Sequence, residues 1–124
     1  MATVTIRGKT YPVLFDLKNV QEMQSHYESL EGIVDALKSA SITEVAYILH
    51  LLIREGVELD NQEHRKNEVA PSADAIEKML TWQDLNGGEI AKAIEASFFE
   101  FYGKNGQSLD AMEQSKQMIQ KVFG

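Results

Sequence analysis

The chain is poor in the residues that support redox, metal or covalent chemistry. Its 124 residues include no cysteine, which excludes a disulfide framework, a thiolate metal site and a cysteine nucleophile. The longest nearly continuous apolar run extends from Val45 to Ile53 and is too short to span a bilayer. The N-terminus lacks a charged segment followed by an apolar stretch, so we expect no signal peptide and a cytoplasmic protein.

Basic charge is also scarce. Twelve lysines and arginines stand against 19 aspartates and glutamates, which gives a formal net charge of −7. Such a surface repels phosphate backbones and removes the largest contribution to non-specific nucleic-acid affinity. We therefore expect no nucleic-acid partner, and we interpret the acidic excess as serving solubility.

Catalytic motifs are missing as well. The histidines His26, His50 and His64 lack the spacing of a metal-binding pair, and Gly87-Gly88 has no following lysine to complete a phosphate loop. No serine lies in a nucleophile elbow, and the sequence spacing pairs no acid with a base in an apolar setting. The sequence predicts no enzymatic activity, no metal site and no cofactor.

The most informative feature that is present is a β-hairpin predicted over residues 3–17. Val4 and Ile6 alternate with polar residues, and residues 7–10 supply a polar turn around Gly8. The return strand alternates its apolar residues, Tyr11, Val13 and Phe15. Because Pro12 cannot donate to a strand ladder, this strand is expected to be an edge strand or to begin after Pro12.

A lone hairpin is marginal in water, so its apolar side chains must pack on helices or on another chain's strand. A homo-oligomer formed through the hairpin edge is therefore one possible assembly. This possibility and packing on the helices are not distinguished by the sequence.

A helical period begins after the hairpin. Val20, Met23 and Tyr27 fall on one face, with Asn19 as the predicted N-cap, and the pattern continues through residues 30–40. Ser41 and Glu44 form a capping-box pattern that opens the clearest helix. Its core stripe consists of Ile42, Val45, Ala46, Leu49, Leu52 and Ile53. Gly56 is the expected residue after its end, so this helix is predicted from about Ile42 to Glu55.

Residues 57–70 are polar and are predicted to form a loop or a solvated helical turn. Ser72 or Asp74 then caps a helix that carries Ile76, and residues 86–88 interrupt the pattern. The last helix of the body is predicted to end at Gly103. Its apolar face consists of Ile90, Ala91, Ile94, Phe98, Phe101 and Tyr102.

These elements predict a mainly α fold with a short N-terminal β-hairpin (α+β), as a small bundle of about five to six helices. Residues 1–103 form a single globular domain, with the hairpin at 3–17 and helices over about 19–102. Residues 104–124 are predicted to be a spacer followed by an amphipathic C-terminal helical tail.

Several apolar residues are candidates for contacting a partner. Phe99 points away from the aromatic face of its predicted helix, and Trp82 lies between two helices, where it suits either the core or an interface. The remaining candidates follow three-, four- and seven-residue spacing on the tail: Leu109, Met112, Ile119, Val122 and Phe123.

The N-terminal third resembles a known family. Residues 4–11 (VTIRGKTY), then Phe15-Asp16-Leu17, then a helix carrying Val20 and Met23, resemble the tail assembly chaperones of long-tailed (siphovirus-type) bacteriophages and prophages. The later order of a nearly all-apolar helix, a polar stretch, a short helix and a longer helix is also similar. The resemblance covers about residues 3–103 and consists of residue types rather than invariant signatures.

The resemblance implies a non-catalytic binding function. Such chaperones act in the cytoplasm of the host bacterium, are absent from the mature virion, and are thought to coat the tape measure protein and to help recruit tail tube subunits. They have no catalytic residues to carry over. The excess of apolar residues at 42–53 and in the tail suggests that these faces hold an amphipathic tape-measure helix in a groove.

An alternative from another class is an acidic helical regulator or inhibitor, of the antitoxin or DNA-mimic antidefence type. A DNA mimic concentrates its carboxylates on one face at duplex-like spacing. In this sequence the acidic residues are spread along every predicted helix and interleaved with lysines, which favours the chaperone interpretation.

Overall fold

The computed structural model describes residues 1–27, 41–86 and 88–104, together with Gly32 and Ala36. Within this part, the elements in chain order are β1 (Thr3–Ile6), β2 (Lys9–Pro12), α1 (Leu17–Tyr27), α2 (Ile42–His64), α3 (Ala73–Met79), α4 (Trp82–Asn86) and α5 (Glu89–Lys104). The predicted fold class, mainly helical with an N-terminal hairpin, is confirmed. Apart from Gly32 and Ala36, the predictions for residues 30–40 and for the tail lie outside the described residues.

The hairpin is an antiparallel pair joined by a turn of two residues. Ile6 pairs with Lys9, and Arg7 and Gly8 between them both have positive φ, 50° and 79°. Positive φ at both central positions is typical of a type I′ turn, whose twist matches that of the flanking strands. Pro12 ends β2 rather than preceding it, so the return strand is shorter than the predicted alternation.

The apolar face of the hairpin packs on the helices, which is one of the two arrangements that the sequence left open. Val4, Ile6 and Val13 are each 2% exposed or less. Beyond β2, the Leu14 amide donates to the Leu52 carbonyl of α2 at 3.1 Å. The ring of Phe15 meets that of Phe98 edge-to-face with centroids 5.3 Å apart. Strand and helix therefore share one hydrophobic core.

The start of α1 corrects one prediction, because Asp16 and not Asn19 caps this helix. The Asp16 carboxylate accepts from the Asn19 amide, and the Asn19 side chain accepts in return from the Asp16 amide, both at 2.9 Å. This is a reciprocal capping box with its cap three residues earlier than expected. Asn19 is fully buried and also donates to the carbonyls of Leu14 and Leu51, which joins the hairpin exit, α1 and α2.

Ser41 begins α2 as predicted, since its hydroxyl accepts from the Glu44 amide. The predicted end at Glu55 is wrong, because the helix continues to His64 and places Gly56 in its interior. At Gly56 a Cβ would lie 2.3 Å from the Pro12 carbonyl oxygen. This glycine therefore lets the end of β2 approach the helix axis closely and does not terminate the helix.

The polar stretch, predicted as a loop or a solvated helical turn, is therefore helical up to His64. Its side chains support the final turn, since Asp60 accepts from His64 at 2.8 Å and from Lys66 at 3.2 Å. Arg65 then adopts a left-handed conformation, with φ 53°, and ends the helix. A solvated polar helix end has the same composition as a loop, which is why the sequence left both alternatives open.

The last three helices complete the core around α2. Ser72 is the N-cap of α3, which decides between the two predicted caps, and Ile76 of α3 is fully buried. Thr81 and Asp84 form a reciprocal capping box that opens α4. Among the side chains of α5 that the structure describes, the buried ones are Ile90, Ala93, Ile94, Ser97 and Phe101. None of the helices in the described ranges is long and apolar enough to cross a membrane.

Candidate protein-binding surfaces

A charged cluster lies where α1 crosses α2. Two guanidinium nitrogens of Arg54 donate to the two carboxylate oxygens of Glu22, at 2.7 and 3.0 Å, and a third donates to Glu55 at 2.9 Å. Glu55 is buried, at 7% exposure, whereas Glu22 and Arg54 are about one-third exposed. A buried carboxylate paired with a fixed cation is stabilised by that pairing.

This cluster was missed by the sequence search for acid–base pairs. Its members come from two helices, and Glu22 lies 32 residues before Arg54 in the chain. A periodic pattern predicts the faces of a single helix and does not predict which residues of two helices will meet. The one available signal was an arginine next to an acid on an otherwise apolar helix, since an uncompensated charge there would be costly.

Pairing and burial shift the pKa values of the cluster and of the neighbouring Asp16 in different directions. Hydrogen bonding to Arg54 lowers the pKa of Glu22, and the same contact raises the pKa of the Arg54 guanidinium. Burial raises the pKa of Asp16, and the neighbouring Glu55 carboxyl raises it further. Arg54 is thus committed to two carboxylates of its own chain, and the cluster acts as an internal clamp between helices.

An aromatic patch adjoins the clamp on the outer side of α1 and α2. The rings of His26 and Tyr47 lie 4.4 Å apart, and Tyr27 stacks edge-on to both. The Tyr27 hydroxyl donates to Glu44, and burial together with this carboxylate raises the Tyr27 pKa. The patch borders a shallow, open depression lined by Glu22, His26 and Tyr47. The Tyr27 hydroxyl is thus held as a hydrogen-bond donor to Glu44.

A narrower recess, which we call the β1-edge cleft, lies between the hairpin and the last two helices. Residues 3–5 of β1 form one side, and Gln83, Asp84 and Glu89 form part of the other. Its volume is about 470 Å³. This is within the range of clefts that bind ligands, and the walls combine the acidic residues Asp84 and Glu89 with the apolar residues Val4 and Ile90.

The structure describes two of the residues that the sequence offered as partner contacts, Trp82 and Phe99. Trp82 is 63% exposed at the start of α4, so it is not a core residue. Phe99 lies on α5 and is partly buried. The other partner candidates, Leu109, Met112, Ile119, Val122 and Phe123, lie outside the described residues.

The apolar face of α2 is not available to a partner helix. Val45, Leu49, Leu52 and Ile53 are each at most 4% exposed and pack in the chain's own core. The hypothesis that this face forms part of a groove is therefore wrong.

The histidines have structural partners rather than a common ligand. His50 Nδ1 lies 3.0 Å from the Pro71 carbonyl oxygen, and His64 Nδ1 lies 2.8 Å from Asp60. Within the described ranges, no three histidine or acidic side chains come together as metal ligands do.

Known proteins provide no independent assignment for these surfaces. We compared the chain with models of protein families, with characterised proteins and with solved structures, and none of them matches it.

Proposed function

We propose that this chain is a non-catalytic tail assembly chaperone of a long-tailed bacteriophage or prophage. It binds the tape measure protein and helps recruit tail tube subunits. It acts in the cytoplasm of the host bacterium and is absent from the mature virion. The alternative of an acidic regulator gains no specific support from the described surfaces.

The N-terminal hairpin is the observation that supports this proposal most. Gly8 lies in its tight turn with Lys9 directly after it, and Phe15-Asp16-Leu17 leads from the hairpin into α1. The hairpin is docked on a mainly helical body. This order of elements is the one on which the resemblance to tail assembly chaperones was based.

The acidic charge and the apolar residues of α5 and the tail also fit a chaperone. A net charge of −7 keeps a protein soluble while it holds an aggregation-prone partner. Phe99 and the apolar residues of the tail provide contacts for an amphipathic helix of the tape measure protein. This replaces the apolar face of α2 as the proposed contact surface.

Co-expression with the tape measure protein encoded beside this chain tests the proposal directly. We expect the chain to raise the soluble fraction of that protein and to co-purify with it. Phe99→Ser and the double variant Ile119→Ser/Phe123→Ser should reduce the rescue. Ala96→Ser serves as the matched control, because Ala96 is exposed on the same helix as Phe99.

Two results would overturn the proposal. One is an unchanged solubility of the tape measure protein when the wild-type chain is present. The other is stoichiometric recovery of this chain from purified virions by mass spectrometry. Circular dichroism of each variant must show the wild-type helix content before its rescue is compared.

A further inference from the structure

The two edges of the hairpin have different surroundings. The outer edge of β2 lies against α2, where Gly56 admits the Pro12 carbonyl and the Leu52 carbonyl accepts from the Leu14 amide. Pro12 also lacks an N–H group. The end of β2 at Pro12 is therefore covered by α2 and offers no N–H group to a further strand.

The edge of β1 offers main-chain groups that β2 does not use. The Val13 amide donates to the Ala2 carbonyl at 2.9 Å, so this pair is hydrogen-bonded across the strands. Hydrogen-bonded pairs alternate in an antiparallel ladder, and the next ones are therefore Val4 with Tyr11 and Ile6 with Lys9. The N–H and C=O groups of Thr3 and Thr5 consequently point away from β2.

These groups face the β1-edge cleft, which residues 3–5 line. The described residues form a sheet of two strands only, so no third strand among them pairs with this edge. Neighbouring strands lie about 4.8 Å apart, and a cleft of this size admits a few residues of one extended chain. An approaching segment would then gain main-chain hydrogen bonds from Thr3 and Thr5.

The charge of the cleft indicates what such a segment must carry. Asp84 and Glu89 contribute acidic side chains, and none of the described residues that line the cleft is basic. The exposed Trp82 directly precedes Gln83 of the cleft wall, and a tryptophan next to a recess is a frequent energetic centre of an interface.

We propose that the β1-edge cleft binds an extended segment of a partner protein that carries lysine or arginine and adds to β1 as a third strand. Main-chain bonds to Thr3 and Thr5 provide affinity, and Asp84 and Glu89 select basic side chains. The inference rests on this geometry alone, so its failure leaves the chaperone proposal intact.

A capped synthetic peptide that alternates valine with lysine and threonine is the probe. We expect its titration, followed by amide chemical shifts, to move Thr3, Thr5 and the cleft residues of α4 and α5. Binding should saturate at a peptide concentration of roughly 1 mM or below. Two N-methylated versions of the peptide give a further test. Methylation of the amides that face β1 should abolish binding, whereas methylation of the amides that point away from β1 should leave it intact, because an added strand hydrogen-bonds to its neighbour through one edge only.

Two matched pairs of variants locate the site. Thr5→Pro should weaken binding about tenfold or more, because it removes an outward N–H group of β1. Thr10→Pro removes an outward N–H group of β2 and should leave binding unchanged. Glu89→Gln should weaken binding of the lysine peptide, whereas Glu95→Gln on the same helix should not.

Three outcomes would overturn the proposal. Shifts confined to other surfaces, or none at the highest peptide concentration, would show that the cleft binds no strand. Equal binding of a peptide with glutamate in place of lysine would remove the charge selection. Concentration-dependent dimerisation that Thr5→Pro abolishes and Thr10→Pro leaves unchanged would identify a second copy as the occupant.

Discussion

Asp16 has two roles at the residue scale that act against each other. Its carboxylate caps α1, whereas its burial beside Glu55 raises its pKa and makes ionisation costly. Asparagine caps a helix as well as aspartate does and carries no charge. We therefore expect Asp16→Asn to unfold at the same or a higher denaturant concentration than wild type at pH 7, and Asp16→Ala to lose about 1 kcal/mol.

The raised pKa of Asp16 also predicts how the stability difference between Asp16→Asn and wild type changes with pH. Because its folded-state pKa is raised, its contribution to stability is fully present below the unfolded-state pKa and is lost as the pH rises through the folded-state value. The advantage of Asp16→Asn should thus be largest near neutral pH and should shrink on acidification. An advantage that grows towards acidic pH would contradict this account.

Gly56 is constrained by contact rather than by helix propensity. An alanine in a helix interior is normally more stable than glycine by about 1 kcal/mol. At this position, however, the added Cβ would lie 2.3 Å from the Pro12 carbonyl oxygen. We expect Gly56→Ala to lower the free energy of unfolding by about 2 kcal/mol, as overpacking does.

Equilibrium denaturation measures the effect at Gly56. Glu58→Ala is the matched control, because Glu58 is exposed on the same helix and should change stability by less than about 0.5 kcal/mol. A Gly56→Ala protein as stable as wild type would show that β2 does not approach α2 this closely.

At the scale of elements, Arg54 clamps α1 to α2. A double-mutant cycle with Glu22→Gln and Arg54→Gln should give a coupling energy of about 1 kcal/mol, because the pair is bidentate and partly buried. The exposed pair Asp74–Lys78 on α3 is the control, and its coupling should be about 0.3 kcal/mol. Equal couplings would show that the clamp contributes no more than a surface ion pair.

The contribution of the clamp to stability should also depend on pH. The pKa of Glu22 is lowered in the folded state, so its contribution is present above the unfolded-state pKa of about 4.3 and is lost as the pH falls through the folded-state value. The difference in stability between wild type and Glu22→Gln should therefore be constant from pH 7 to about pH 5 and shrink under more acidic conditions. Urea denaturation over this range measures it.

At the scale of the whole molecule, the hairpin and the helices share one core. Phe15 contacts both Phe98 and Phe101 of α5, and Val13 and Leu52 belong to the same buried cluster. We expect Phe15→Ala to cost about 3 kcal/mol and to destabilise hairpin and helices together. Hydrogen exchange should show the amides of Val4 and Tyr11 opening with the same free energy as those of central α2.

The exposed residue Leu17 provides the control for Phe15→Ala. Leu17→Ala removes a side chain that is 65% exposed, so it should change stability by less than about 0.5 kcal/mol. Hairpin amides that exchange much faster than those of α2, in wild type or in Phe15→Ala, would show that the hairpin opens independently of the helical body.

Local patterns predicted much of this fold because the interactions behind them are local. The Ser41 cap and the stripe from Val45 to Ile53 follow from hydrogen bonds and periodicities within a few residues. The hairpin alternation also predicted which side chains are buried. The same reasoning chose Asn19 over Asp16 as a cap, because both residue types suit that position.

The remaining features depend on residues that are distant in the chain. By itself, the sequence determined the class of the fold, the apolar faces of its elements and its acidic charge, since each depends on composition or short-range spacing. Only the tertiary structure decided that Gly56 continues α2 against Pro12, that Arg54 clamps Glu22, and that the β1 edge borders an acidic cleft. These contacts join segments 32 to more than 80 residues apart, and chain spacing carries no signal for such packing.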